Sequence, residues 1–450
     1  MIDLQNGVLS LKMTTNESIK TLGAFGIELS LMRSVLNQRL YTNHLLYYFF
    51  SLFFELILPV AAVDNEDEIL YQARATGSSM KPKATAIVVN YNSLGKWDII
   101  ESCLKRIFSL NYRPLEIIVV DNGSDDGSFE LIKQLIEEIR QDEGFKIRII
   151  RLSKNYGFAA ANIIAYRLRD PESKYIALIN NDLSPEPDSL ERLIEILEAN
   201  CMLAGVQGVI LTWDGRYIDT YGVFMTDHGL TYPISSMESS CLQKLRPVIP
   251  TYIDGAFSVY RVEALERSGG LFMPYFFMWG DDYELGIRLW RSGYVLAAVP
   301  VVVGRHYRGA SVQLWEKTTS QLSYLKYWSW VSNIAVTVIY GHIFQLLRRM
   351  PTAFASIVLL KRSKPILMGF LDGIKLGFKL RKLLRQDWLR SAKEPRLRSN
   401  LLWELALLAR FYLRYGAKGS KIRSILIGRS LGRRFALKSE KVDFKLNIFT

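Results

Sequence analysis

At 450 residues the chain exceeds one ordinary domain and has room for two or three units with a sizeable core. Its three cysteines, Cys103, Cys201 and Cys241, lie far apart and form no CxxC or Cys/His pattern, so neither a disulfide framework nor a zinc site organises it, and a reducing compartment fits. The net charge of +13 is concentrated in the tail, where residues 316–450 hold 27 Lys and Arg against seven Asp and Glu, which points to an anionic membrane surface rather than nucleic acid.

Residues 1–80 carry no assignable motif. They include LLYYFFSLFFELILPVAAV at 45–63, which approaches the roughly 20 residues a membrane span needs but is interrupted by Glu55 and Pro59. More than forty residues precede it, unlike a signal peptide. A short polar linker at 75–83 follows, and from Ala84 strands and helices alternate. ATAIVVNYN reads as a strand, Asp98 with Glu101 three residues on opens a helix to Leu110, and LEIIVVDNGS is a second strand with its exit loop. Residues 129–140 read as a helix, IRIIRL as a third strand and Phe158–Leu168 as another helix. YIALINND, at 175–182, is an apolar strand that carries two amides and a carboxylate to a sheet edge. Leu183, Ser184, Pro185, Glu186 and Pro187 then break it before a helix near Asp188. This alternation predicts an α/β fold with a mostly parallel sheet covered on both faces.

A block over 205–311, richer in glycine and aromatics, reads as the mixed half of the same domain. Residues 327–347 then lack Asp, Glu, Lys and Arg, but Ser329, Asn333, Thr337, Gly341 and Gln345 draw a polar stripe at every fourth position, the mark of an amphipathic or bundled helix. ILMGFLDGIKLGFKLRKLLR mixes apolar and basic residues at helical spacing, as surface-lying helices do. The expected organisation is an unassigned region 1–80, an α/β domain 81–315 and a basic, helical, membrane-associating region 316–450.

Open α/β sheets bind ligands at the carboxyl ends of their strands. Asp182 is placed there, either to hold a cation with hard-oxygen preference or to cap a turn. Asp281 and Asp282 abut at the start of a helical pattern, where adjacent side chains diverge, so that one can face a cleft while the other orients it or complements the helix dipole. Abutting acids also raise one another's pKa, which suits proton abstraction. His306, just beyond AAVPVVVG, is either structural or a ligand.

In order along the chain, ATAIVVNYN, VVDNGSDDGS, KNYGFAAANIIAYR, INND, DGAFSVYR, FFMWGDDYELGIRLWRSGY and the histidine of GRHYRGAS resemble the signature of family-2 glycosyltransferases with the GT-A fold, a Rossmann-like, mostly parallel mixed sheet. The similarity runs over 83–311 and leans toward rhamnosyl- and galactofuranosyl-type enzymes. It implies a nucleotide-sugar site made of Asn90, Tyr91, Asn92, Asp121, Asn122, Asn155, Gly157 and Asn181, with Asp121 on the base. It implies Asp182 and His306 as ligands of Mn2+ or Mg2+, and Asp282 as the catalytic base beside Asp281. Asn180, Asn181 and Asp182 stand where the family carries its DxD-type metal motif, and only the last carboxylate is present. Arg288 and Trp279 are expected to support the helix, Trp279 with the option of packing on a sugar ring.

The implied reaction is an inverting, metal-dependent transfer of a sugar from a nucleotide-sugar donor to an acceptor hydroxyl, on a glycan or lipid-linked acceptor, in cell-surface glycan or glycolipid assembly. GASVQLWEK follows His306 where processive polysaccharide synthases carry QxxRW, which favours addition of single sugars. A non-catalytic nucleotide-sugar-binding membrane protein is the rival reading. Nucleotide sugars and the basic tail both place the protein on the cytoplasmic face of the membrane, peripheral or re-entrant.

Overall fold

The computed structural model describes residues 2–5, 8–11, 81–139, 144–226, 229–308, 319–341, 346–347, 350, 363–384, 394–397 and 419–437. The chain divides into two compact units, 1–82 and 83–450. In the first, β1 (Ile2–Gln5) pairs antiparallel with β2 (Val8–Leu11). The apolar stretch 45–63 lies outside the described residues.

The second unit begins with β3 (Ala84–Asn90), α1 (Trp97–Phe108), β4 (Leu115–Asp121), α2 (Ser128–Glu137), β5 (Phe145–Arg151), α3 (Phe158–Leu168) and β6 (Tyr175–Ile179). The four strands are parallel in the order β5-β4-β3-β6, and every residue of β4 and β6 is buried, as expected of strands covered on both faces. Helix α1 shows why. Ile100, Cys103, Leu104, Ile107 and Phe108 recur at helical spacing and are its buried residues.

After β6 the chain makes β7 (Leu183–Pro185), α4 (Ser189–Ala199), β8 (Leu203–Thr212), β9 (Ile218–Thr220), β10 (Val223–Thr226), β11 (Thr231–Pro233), β12 (Phe257–Arg261), α5 (Val262–Arg267), α6 (Asp281–Arg291) and β13 (Val295–His306). Strand β12 lies antiparallel between β6 and β8, and β13 runs parallel to β8, which makes the sheet mixed. The sequence reading takes 183–187 as a break, but Leu183–Pro185 is a short strand paired antiparallel with the end of β13. Proline is tolerated because β7 ends the sheet, where its missing N–H has no ladder partner to disappoint.

Among the described residues the unit continues with the helices α7 (Thr319–Tyr340), α8 (Ser363–Leu383) and α9 (Gly419–Leu431). The two-residue strand β14 (Arg396–Leu397) adds parallel to β10, which pairs antiparallel with β11. Leu431 and Ala436 close the apolar cluster around Phe224, Tyr232 and Ile234. Among the described residues, no helix is long and apolar enough to cross a membrane.

Candidate active site

The carboxyl ends of the parallel strands, the 252–256 loop and the 277–282 loop enclose a cleft of about 850 Å3. Tyr91, Asn122, Asn155, Gly157, Asn181, Asp182, Asp281, Asp282 and His306 all line it, as do Asn180 and Trp279. Asn90, Asn92 and Asp121 do not line it.

Those three are engaged behind the cleft. Strand register sets Asn90 opposite Asp121, and both are fully buried. Asn90 Nδ2 donates to Asp121 Oδ1 (3.1 Å), Ser124 Oγ donates to the same oxygen, and Ser124 N donates to Oδ2 (3.1 Å). Asn90 Oδ1 in turn accepts from Asn181 Nδ2 (2.9 Å) and Ser93 Oγ (2.7 Å). Buried polar groups at a strand end take the donors the loops offer, so in this structure Asp121 knits three loops together beneath the cleft. Asn92, at φ 44, exchanges hydrogen bonds with Asp125 in a turn.

Asn122 and Asn155 brace the next loop. Asn155 Oδ1 accepts from Asn122 Nδ2 (3.0 Å) and from Gly157 N (2.8 Å), while Asn122 Oδ1 accepts from Tyr156 N (3.0 Å). Gly157 sits at φ 91, and a Cβ there would lie 2.4 Å from the Phe277 carbonyl oxygen. The glycine therefore permits contact between two walls of the cleft, whatever it does for a ligand.

The pairing of β7 with β13 sets His306 opposite Leu183, next to Asp182. His306 Nε2 lies 3.0 Å from Asp182 Oδ1, and Nδ1 lies 3.3 Å from Asp219 Oδ2. Burial disfavours the imidazolium, but the hydrogen bonds to Asp182 and Asp219 outweigh it and hold the His306 pKa at about 9. A divalent cation held by His306 and Asp182 would need the neutral imidazole and would displace that proton. Arg308, at φ 55, pairs with Asp219 and reaches Asp254 Oδ2 (3.3 Å), extending this network along the cleft.

One carboxylate and one imidazole suit Mn2+ or Mg2+ in kind. Among the described residues no group of three histidines, cysteines or acids is arranged to hold a metal. Asp182 and His306 therefore fit a cation that takes its other oxygens from substrate phosphates and water.

Across the cleft, Gly280 at φ 154 turns the chain into α6, whose first turn carries Asp281, Asp282 and Glu284. Asp281 is buried, with Oδ1 accepting from Gly280 N (3.1 Å). Burial pushes its pKa from 3.8 up to about 6. Asp282 is half-buried, and desolvation followed by the charges of Asp281 and Asp254 pushes it well up too. Its Oδ2 accepts from Gly255 N (3.1 Å), and a Cβ on Gly255 would come within 2.6 Å of Oδ1. Asp282 consequently packs over bare backbone, reachable only because residue 255 is glycine. Arg288 supports the helix as expected: it is 1% exposed, forks onto Glu284 and donates to the carbonyls of Ser268, Gly270 and Leu271. Trp279 stands at the rim, 47% exposed, with its backbone at φ 52. A left-handed bulky residue is strained, and such strain gathers at functional sites.

Sequence reasoning missed Asp219, Asp254, Gly255, Arg308 and the wall made by α7. DGAF was visible as a motif, but nothing local marks Asp219, which arrives on the two-sided hairpin of β8 and β9. The polar stripe on α7 was legible, and its partners were not: Ser329 and Asn333 line the cleft, Ser332 Oγ donates to the Met278 carbonyl (3.1 Å), and Asn333 Nδ2 donates to that of Gly229 (3.3 Å).

Fold and site together define an α/β protein with a mixed sheet and a polar cleft at the carboxyl edge of its parallel strands. Residues 85–269 match the family model described as glycosyl transferase family 2. Asp281, Asp282 and His306 lie beyond the matched stretch. A Bacillus subtilis protein named as a teichuronic acid biosynthesis glycosyltransferase is 28% identical over 145 residues, 32% of this chain and 54% of its own length. Chondroitin synthase of Escherichia coli is 23% identical over 212 residues, 42% of this chain and 30% of its own. The chain thus spans about half, and under a third, of these relatives. A mannosyltransferase from Pyrobaculum calidifontis, solved with GDP-Man and Mn2+, is similar in structure with a TM-score of 0.42 and 16% identity, over 78% of this chain and 88% of that one.

Proposed function

We propose that this protein transfers a sugar from a nucleotide-sugar donor to an acceptor hydroxyl with inversion, in the assembly of a cell-surface glycan or glycolipid. The observation that carries the reading is one cleft with a high-pKa acid pair on one wall and the Asp182–His306 pair on the other. Asp282 takes the proton of the acceptor hydroxyl as its oxygen bonds to the anomeric carbon and the carbon–oxygen bond to the diphosphate breaks on the opposite side. Asp281 keeps Asp282 basic. Asp182 and His306 are the side chains that would hold Mn2+ or Mg2+, whose chemistry is to neutralise the departing diphosphate. Asn122, Asn155 and Tyr91 line the side available to the donor. Relatives named for teichuronic acid biosynthesis and chondroitin synthesis support a glycan product. Placement on the cytoplasmic face, peripheral to anionic lipid, follows from where nucleotide sugars are expected and from the basic tail.

The test incubates the purified chain and Mn2+ with a panel of nucleotide sugars and measures nucleotide release. Release with one donor class is expected, and Asp282→Asn should cut turnover by about 10²–10⁴-fold while nucleotide binding persists. Binding without release for every donor would make this a binding protein instead.

A further inference from the structure

Helix α8 packs on α7 through glycine. Gly369 faces the Tyr327 carbonyl, Gly373 faces Val331 and Ile334, and Gly377 faces Ala335 and Val338. Tyr327 Oη donates to Asp372 Oδ2 (2.9 Å), and Arg381 Nη1 caps α7 on the carbonyls of Val338, Ile339 and Gly341. The two helices thereby pack side by side in parallel, with the glycine side of α8 turned inward.

The outward side is unusual. Leu367, Leu371, Phe378 and Leu383 are 46, 48, 50 and 64% exposed. Lys364, Lys375 and Lys382 are exposed among them. Positions 364, 367, 371, 375, 378 and 382 step by three or four, so these side chains form one stripe rather than a scatter. Asp372, the helix's acid, is half-buried and committed to Tyr327. A contiguous apolar stripe on a soluble surface marks a docking face.

We propose that this stripe of α8 seats on an anionic lipid bilayer, with Leu367, Leu371 and Phe378 at the boundary of headgroups and acyl chains and the lysines at phosphate level. Charge complementarity selects that occupant: a second copy would bring lysines against lysines, whereas interfacial helices combine apolar side chains with snorkelling lysines. A helix of 21 residues laid flat gives about 30 Å of contact line. Docking also orients the cleft. At 100° per residue, Ser329 and Asn333 lie on the side of α7 opposite Tyr327, Val331, Ile334 and Val338, so α8 and α7 both stand between the bilayer and the cleft, at two helix diameters or about 20–24 Å. This gives a surface to the membrane placement proposed above, and its test reads lipid binding and not transfer, so the two fail separately.

The experiment is flotation of the purified full chain with vesicles of phosphatidylcholine containing one quarter phosphatidylglycerol, against phosphatidylcholine alone. Tight binding to the anionic vesicles and weaker binding to neutral ones is expected. Combined Leu367→Ser, Leu371→Ser and Phe378→Ser should lower binding at least tenfold on both. Combined Lys364→Gln, Lys375→Gln and Lys382→Gln should lower it about fivefold per lysine on anionic vesicles only, the equivalent of about 1 kcal/mol each. A second readout is independent of any loss of folding: Leu371→Cys bearing a polarity-sensitive dye, with Cys201 and Cys241 replaced by Ser, should shift to the blue when anionic vesicles are added. Undiminished binding by both combined variants, or no shift at position 371, would overturn the assignment. So would a dimer that the serine variant dissociates, or capture of acidic protein without any lipid binding.

Discussion

Asp281 and Asp282 are neighbours in sequence with different surroundings, and the difference sets a testable pH dependence. Burial raises the Asp281 pKa to about 6, and desolvation, then the charges of Asp281 and Asp254, raise that of Asp282 well above the usual carboxylate range. A base must be ionised to work, so turnover at low donor concentration should rise as pH climbs through and above about 6, with apparent pKa values that belong to the pair. Asp281→Asn removes the like charge beside Asp282, and the acid limb should move to lower pH in a kcat/KM profile; an unmoved limb would leave Asp282 without this neighbour's influence. On the other wall, Asp182→Ala deletes a carboxylate from the position proposed for the cation. The Mn2+ needed for half-maximal activity should rise by at least about tenfold, and His306→Ala should behave likewise. Full activity in excess EDTA would rule out the cation.

At the scale of elements, the cleft depends on two close approaches. The first is the three-residue strand β7, which carries Asp182 to the end of β13 and its histidine. The second is the parallel packing of α8 on α7. A Cβ at Gly373 would lie 2.7 Å from the Val331 carbonyl and 2.8 Å from Ile334 Cβ, so Gly373→Val must push the helices apart. The expected cost is about 1–3 kcal/mol of stability, measured by denaturant unfolding, because overpacked side chains displace backbone. Since Ser329 and Asn333 of α7 line the cleft, turnover should fall in the folded variant as well. Normal turnover in a destabilised variant would show that this wall only supports the fold.

For the molecule as a whole, the acid pair trades stability for chemistry. Asp281 has a folded pKa of about 6 against an ordinary 3.8, so the stability it contributes is present below about pH 4 and is lost as pH rises through 6. Above that, the fold carries an ionised acid that it has desolvated. Asp281→Asn should accordingly unfold at a higher temperature than the parent at pH 7.5, by roughly 2–4 °C for each kcal/mol relieved, and the gap should close toward pH 4. An equal gap at both pH values would mean that the charge is not the cause.

Several features needed no tertiary information. The continuous apolar runs of β3 and β4 report strands buried on both faces and the period in α1 reports its buried side, and Asp182, Asp282 and His306 stand at strand or helix ends that a Rossmann-like order brings to one edge. The stripe of Ser329 and Asn333 announced a polar face on α7. What a linear pattern does not contain is the partner across space. Leu183–Pro185 reads as a break because its hydrogen bonds come from a strand more than 100 residues later. The Asp121 hydrogen bonds with Asn90 are likewise invisible in the sequence, because Asn90 comes from another strand. Asp219, Asp254 and Arg308 form a site network only when β9, the 252–256 loop and the end of β13 are folded together. Local hydrogen bonding and periodicity are properties of neighbours in the chain; the pairing of charges, and the burial that shifts their pKa values, belong to the packed molecule.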